Sequence, residues 1–451
     1  MIVRQGKIGK AVRDRITQLD SPEAAARWVD KHVALRLARG YVEVSIADPR
    51  DACPHHSRHP ELEAAILADP DDLGAWAVYF DWLQSLGDPW GERGQLAMAR
   101  EQAHGANARA LAGQLEQFDA AHQRELYGEG MAVLISERML DDFVRTKSRF
   151  GMILAAEVHE PGHPPPSLAK FSTALSVLLG SPAARLLGEL AIEAHDLRRS
   201  ATAIAMAYNL ESLRRLRLGQ PGSSRTAGGP IGDIRTLLVA APNLVDLCLR
   251  GGQILLGEVE HPRLESLFIH TSGISRSSLE RLVNCKLPAL RRLTVWFGSR
   301  DGRVNETAEA LAPLLVGDGL PGLELLGLGN SGAQDEIAES LSHAAILDRL
   351  RIVDMSRGTM TELGARSILK SAARFRRLER LDLRDNYLTA QDCAALRSVL
   401  GDVVLLDSQR TPRDWSTVLD DDAVEDYEPM LDELDLVEHR AAQPSSSSET
   451  K

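Results

Sequence analysis

Residues 378–400 read LERLDLRDNYLTAQDCAALRSVL, and this stretch decides the architecture. Leu381 and Leu383 stand two apart, so on a strand both side chains leave the same face. Leu378 enters from the preceding turn and fills the same interior. Asn386 comes just after the strand, placed to hydrogen-bond the turning backbone. Leu388, Cys393, Leu396 and Leu400 then fall at helical spacing. The unit is a short strand, a turn and a returning helix, and its strand cannot bury an apolar face alone.

Working outward, the same L-x-x-L-x-L pattern recurs, with Ile, Val or Met admitted at its later positions. It begins at Leu187, Leu213, Leu244, Leu264, Leu290, Leu323, Leu350 and Leu378, with separations of 26, 31, 20, 26, 33, 27 and 28 residues. Residues 334–346, 361–373 and 389–400 show helical spacing between motifs. The competing assignment is a run of amphipathic helices with leucines at i, i+3 and i+5. Alternation at the fourth and sixth positions, and Asn or Gly after several units, favour strands and turns. The predicted fold class is α/β, a solenoid of stacked parallel strands with convex helices.

These motifs resemble the leucine-rich repeat family, in its strand-plus-helix, ribonuclease-inhibitor-like form, over roughly residues 168–410. Two departures predict an irregular horseshoe. The 20-residue spacing from 244 to 264 leaves no room for a full helix, and the Gly/Ser stretch from Gly219 to Gly232 reads as a loop. Residues 140–160 read as a helix followed by an apolar strand, Met152 to Val158, that caps a solenoid spanning 140–410.

If each unit is a strand, its third, fifth and seventh positions form the concave surface. They are Glu189 and Glu193, Arg215 and Arg217, Asp246 and Arg250, Phe268 and His270, Arg292 and Trp296, Asp354, and Arg380, Asp382 and Arg384. Arginines beside aromatics are enriched in interface hot spots. The expected partner-binding set is Arg215, Arg217, Arg250, Phe268, His270, Arg292, Trp296, Arg380, Asp382 and Arg384. A merely solvated face with scattered charges is the alternative. Trp296 is the most informative member, because an outward tryptophan has no core reason to be there, although the adjacent Phe297 competes for the core position.

In residues 61–135 a helix from Leu62 ends at Asp69-Pro70, a second carries Trp76, Tyr79, Phe80 and Leu83, and a third runs from Glu92 to Ala103. AILADPDD, Tyr79-Phe80-Asp81-Trp82-Leu83 and Gly87-Asp88-Pro89-Trp90-Gly91-Glu92 resemble the bacterial repeat-companion domain, with Phe80 where that family commonly shows Ala. That resemblance implies a repeat neighbour and no activity. Asp81, Asp88 and Glu92 are expected to cap helices and form turns rather than to catalyse.

Residues 1–47 resemble the second half of a WGR domain, through Gly6 to Gly9, the Ser-Pro-Glu-Ala-Ala helix start at Ser21 and Gly40-Tyr41-Val42-Glu43. Gln5-Gly6-Lys7 replaces the signature Trp-Gly-Arg, which weakens the DNA binding that the resemblance implies. Residues 1–44 carry nine Lys and Arg against five Asp and Glu, so Lys7, Lys10 and Arg13 are candidate phosphate contacts or part of a solvated face. A half module with uncovered strand edges leads to the expectation of an upstream start or a remnant. Residues 48–60 read as a linker in which Cys53, His55, His56 and His59 are too close in sequence and too loosely held to form a metal site.

The formal net charge is −12, yet Asp420 to Glu438 alone holds ten Asp and Glu and no Lys or Arg, so the body is nearly neutral. Residues 411–451 read as an acidic, Ser-rich, disordered tail, either solubilising or docked on the arginines through Leu431, Leu434 and Val437. Four separated cysteines signal neither a disulfide framework nor a zinc ribbon. No apolar run reaches the roughly 18 residues that span a bilayer, no apolar leader is apparent, and the expected location is cytoplasmic. No Gly-rich phosphate loop, HExxH or GxSxG is found, so neither an enzyme nor a cofactor is expected. The expected function is a scaffold that binds another protein; the alternative is a nucleic-acid-associated regulator acting through the WGR-like segment and the arginines.

Overall fold

The computed structural model describes residues 58–128, 143–160 and most of 168–411, together with the backbone of two short strands near the N-terminus. Those strands, β1 (Ile2–Gln5) and β2 (Arg13–Ile16), pair antiparallel with Gln5 opposite Arg13 and belong to a compact unit ending at Pro54. Lys7, Lys10, Cys53, His55 and His56 and the tail beyond residue 411 lie outside the described residues, as does the side chain of Arg13.

The second unit, from His55 onward, opens with α1 (Pro60–Ala68), α2 (Leu73–Ser85), α3 (Pro89–Gln102), α4 (Gly105–Ala121) and α5 (Gln123–Tyr127). Asp72 and Asp88 cap α2 and α3 by accepting hydrogen bonds from Gly74 and Trp90 backbone amides. Gly91 and Gly94 let α3 cross α2 closely. A Cβ on Gly91 would meet the Gln84 nitrogen at 2.3 Å, and one on Gly94 would meet the Phe80 ring at 2.2 Å. Asp72, Asp88, Gly91 and Gly94 of this motif thus cap and pack the helices.

One sheet of eleven strands dominates the unit. It begins with β3 (Val144–Arg149) and β4 (Met152–His159), an antiparallel hairpin. The helix expected over the first part of 140–160 is corrected, since Val144–Arg149 is a strand. Arg149 pairs with Met152, leaving a two-residue turn with Phe150 at φ 48° and Gly151 at φ 82°. Positive φ at both positions matches the twist of paired strands. Phe150 tolerates it because its ring packs edge-on against Trp76 and Phe80, at 5.4 and 6.0 Å. These contacts come from residues some seventy positions earlier.

All the remaining strands are parallel: β5 (Glu189–Glu193), β6 (Arg215–Leu218), β8 (Asp246–Arg250), β10 (Ser266–His270), β11 (Arg292–Trp296), β12 (Leu325–Gly329), β13 (Ile352–Asp354), β14 (Arg380–Asp382) and β15 (Val404–Leu405). The motifs stack in phase: Leu190, Leu216, Leu247, Leu267, Leu293, Leu326, Val353 and Leu381 sit opposite one another in turn. The three apolar motif positions of all eight units are buried in one continuous core. Returning segments include α6 (Leu168–Gly180), α7 (Arg198–Ala205), α8 (Arg235–Ala240), α9 (Arg276–Val283) and α10 (Val304–Val316). They continue with α11 (Gln334–His343), α12 (Glu362–Lys370), α13 (Ala372–Phe375) and α14 (Ala390–Leu400). Among the described residues the shortened 244–264 unit has no helix; its Ile254–Leu255 (β9) pairs with Gly232–Asp233 (β7) instead. This mixed α/β arrangement is compatible with a repeat solenoid.

Asn386 is fully buried. Its Nδ2 donates to the carbonyls of Met355 (2.9 Å) and Leu383 (3.1 Å), and its Oδ1 accepts from the Met360 amide at 3.0 Å. It stitches two successive turns together, as its place in the sequence predicted.

Candidate interaction surface

In-phase pairing orders the sheet face away from the leucine core into three rows. The first contains Glu189, Arg215, Asp246, Ser266, Arg292, Leu325, Ile352 and Arg380. The middle row contains Ala191, Arg217, Cys248, Phe268, Thr294, Gly327, Asp354 and Asp382. Arg250, His270, Trp296 and Gly329 continue across the last row, which Glu193 precedes on β5. Adjacent strands lie about 4.8 Å apart, so neighbours within a row touch.

Cys248, Phe268 and Trp296 form an apolar cluster separate from the leucine core. The two outward aromatics are thus on the expected face, but the expectation that they are exposed is corrected: Phe268 is 2% and Trp296 3% accessible. The cause is β12. Its Gly327 and Gly329 carry no side chains, and a Cβ on Gly329 would stand 2.7 Å from Trp296 Nε1. The indole fills that space, His270 meets it edge-on at 5.1 Å, and the Arg357 guanidinium covers it at 5.7 Å. Arg250 covers Phe268 in the same way at 5.6 Å. Burial and the nearby Arg250 charge lower the His270 pKa from 6.5 to about 4, so the ring is neutral at physiological pH.

The charged members fare differently. Arg215 and Arg217 are exposed, and Arg215 pairs with Glu189 across the strands at 3.0 Å. Arg292 and Arg380 are half-buried. Asp382, expected to face a partner, is fully buried and accepts from Arg384 Nη2 at 2.7 Å and Nε at 3.1 Å. That hydrogen bond also raises the Arg384 pKa above its usual value. The face is therefore not uniformly basic. Carboxylates (Glu189, Glu193, Asp246, Asp354, Asp382) share the face with Arg217 and Arg250, and Arg250 has the neutral Cys248, Phe268 and His270 beside it.

Sequence reasoning passed over Cys248, Thr294, Gly327 and Gly329, although the same alternation rule places them on this face. Arg357 carries no such signal, because it lies beyond β13 in a turn at φ 59°. Among the described residues no cluster of His, Cys, Asp or Glu can hold a metal ion, and no helix is long and apolar enough to cross a membrane.

No protein-family model matches the sequence, and no curated protein matches it. Similar solved structures include a Bacteroides fragilis protein, 23% identical, with TM-score 0.48, covering 53% of this chain and 71% of that one. Another is the mouse RP105/MD-1 complex, 17% identical, with TM-score 0.28, covering 49% of this chain and 43% of the matched chain.

Proposed function

We propose that this chain is a non-catalytic interaction or scaffold protein of the leucine-rich repeat class that recognises another protein with its concave face. The L-x-x-L-x-L periodicity and the in-phase parallel register support the class. The recognition reading is carried by one observation, the Cys248–Phe268–Trp296 cluster on the sheet face away from the leucine core. A solenoid needs no apolar material there for stability. The covered aromatics instead hold the guanidinium groups of arginines 250 and 357 over their ring faces, and arginines fixed in this way are suited to anchor a partner. The nucleic-acid alternative rests on residues 1–47, whose side chains are not described, and gains no support from the charge-balanced face.

Affinity purification with mass spectrometry should capture a protein partner with the parent chain and lose it with Arg217→Glu/Arg250→Glu, at unchanged circular dichroism. Capture unaffected by that double substitution would place recognition elsewhere. An electrophoretic shift at physiological salt that survives it would favour the nucleic-acid reading.

A further inference from the structure

The middle and last rows across β6 to β12 comprise Arg217, Cys248, Phe268, Thr294 and Gly327, then Arg250, His270, Trp296 and Gly329. These nine neighbouring positions hold two cations and no carboxylate. Arg250 is the centre of this block. Its guanidinium lies over the Phe268 ring, the residue is half-buried, and among the described residues no carboxylate pairs with it. His270, beside it in the row, is neutral and supplies no counter-charge. A half-buried cation held in place with no carboxylate beside it is complementary to an anionic group from outside the described residues.

The chain carries a segment of matching chemistry. Asp420 to Glu438 contains ten carboxylates and no Lys or Arg. The described solenoid ends at Thr411, just past β15, and β15 is six strand steps from β8 in the sheet order. Six steps of about 4.8 Å make about 29 Å, and nine residues at about 3.3 Å reach the same distance. Asp420 is nine residues beyond Thr411, so the acidic run begins where the chain first spans the gap.

We propose that the acidic segment Asp420–Glu438 docks on the Arg217–Arg250 block of its own concave face, a carboxylate accepting from Arg250, and so covers the recognition surface. This rests on reading that face as a recognition surface. The tail then competes with a partner, and a partner that displaces it presents acidic groups of its own.

Carbodiimide coupling of full-length Arg250→Lys tests the contact, because it joins an amine to a carboxylate only when they touch. The sequence has only eight lysines, so the background is low. The expected product is a monomer in which residue 250 is linked to a carboxylate in 420–438, with a yield independent of protein concentration. Yield falls between ~0.1 M and about 1 M salt, where the screening length shrinks from ~10 to ~3 Å. Arg366→Lys, on the exposed side of α12, is the control. Absence of the 250 link in a folded protein, or equal linkage at 366, overturns the proposal, and a link found only in dimers assigns the occupant to a second copy. The parent body gives a second readout: amidating Asp420, Asp421 and Asp422 by substitution with Asn should speed diethylpyrocarbonate modification of His270, and an unchanged rate counts against docking. If both readouts fail while Arg217→Glu/Arg250→Glu still loses its protein partner, the inference falls and the proposed function stands.

Discussion

An indole brings about 150–250 Å² of apolar surface, and on the sheet face away from the leucine core that surface faces water unless something covers it. Trp296 is covered by three neighbours that the alternation rule does not mention: the bare backbone of Gly329, the edge of His270 and the plane of Arg357. The alternation rule thus identified the face on which Trp296 lies, and packing decided its exposure. His270 has a consequence that can be measured. Its folded pKa of about 4 lies below the ordinary 6.5, so between those values the unfolded chain binds the extra proton. Stability from this group is complete above pH 6.5 and is lost as pH falls toward 4, with a slope of up to about 1.4 kcal/mol per pH unit. Urea midpoints at pH 7.5, 6 and 5 should therefore fall less steeply for His270→Gln than for the parent. Parallel slopes would show that the ring already carries its proton in the fold.

At the scale of elements, the strands were legible because each is defined by a two-residue period, which a few leucines suffice to report. The β3–β4 hairpin was only half legible. Val144–Arg149 has one buried position ahead of four exposed ones, so its period is hidden, and its turn is held by aromatics from α2. β12 makes a separate point. Glycine weakens an isolated strand, yet Gly327 and Gly329 admit the side chains of Thr294 and Trp296 from the neighbouring strand. Gly329→Ala places a methyl 2.7 Å from Trp296 Nε1 and 3.1 Å from the Ser356 carbonyl. Overpacking of this kind costs about 1–3 kcal/mol. Equilibrium urea unfolding should show that loss, with weakened near-ultraviolet dichroism as the indole is displaced. A stability equal to the parent's would mean that Trp296 does not rest there.

At the scale of the whole second unit, buried charge ties the helical module to the strand array. Arg185, 1% accessible in its side chain, pairs with Asp88 at 2.7 Å, and Asp88 also caps α3. Arg93 donates to the Phe150 carbonyl at 2.6 Å, and Arg58 bridges Glu63 (2.7 Å) to Ser212 (2.6 Å). Such a latch orients the module while adding little net stability until one partner is removed. Asp88→Ala strands the Arg185 charge and should cost about 3–5 kcal/mol, and adding Arg185→Met should recover part of that loss. Additive losses in urea titrations of the two variants would show that the charges do not meet. What the amino-acid order determined by itself is the local layer: eight strands in phase, which side of each is apolar, where Asn386 turns the chain and where a helix has no room. Those features depend on neighbours a few residues away, and their periods survive in any context. Tertiary structure alone decided that Trp296 and Phe268 are covered, that Asp382 is consumed by Arg384, that Arg250 lies over the Phe268 ring, and that the module's Asp88 closes on Arg185. Each of those outcomes joins side chains through space rather than along the chain, and a period in sequence carries no record of which strand lies alongside or what its side chains leave vacant.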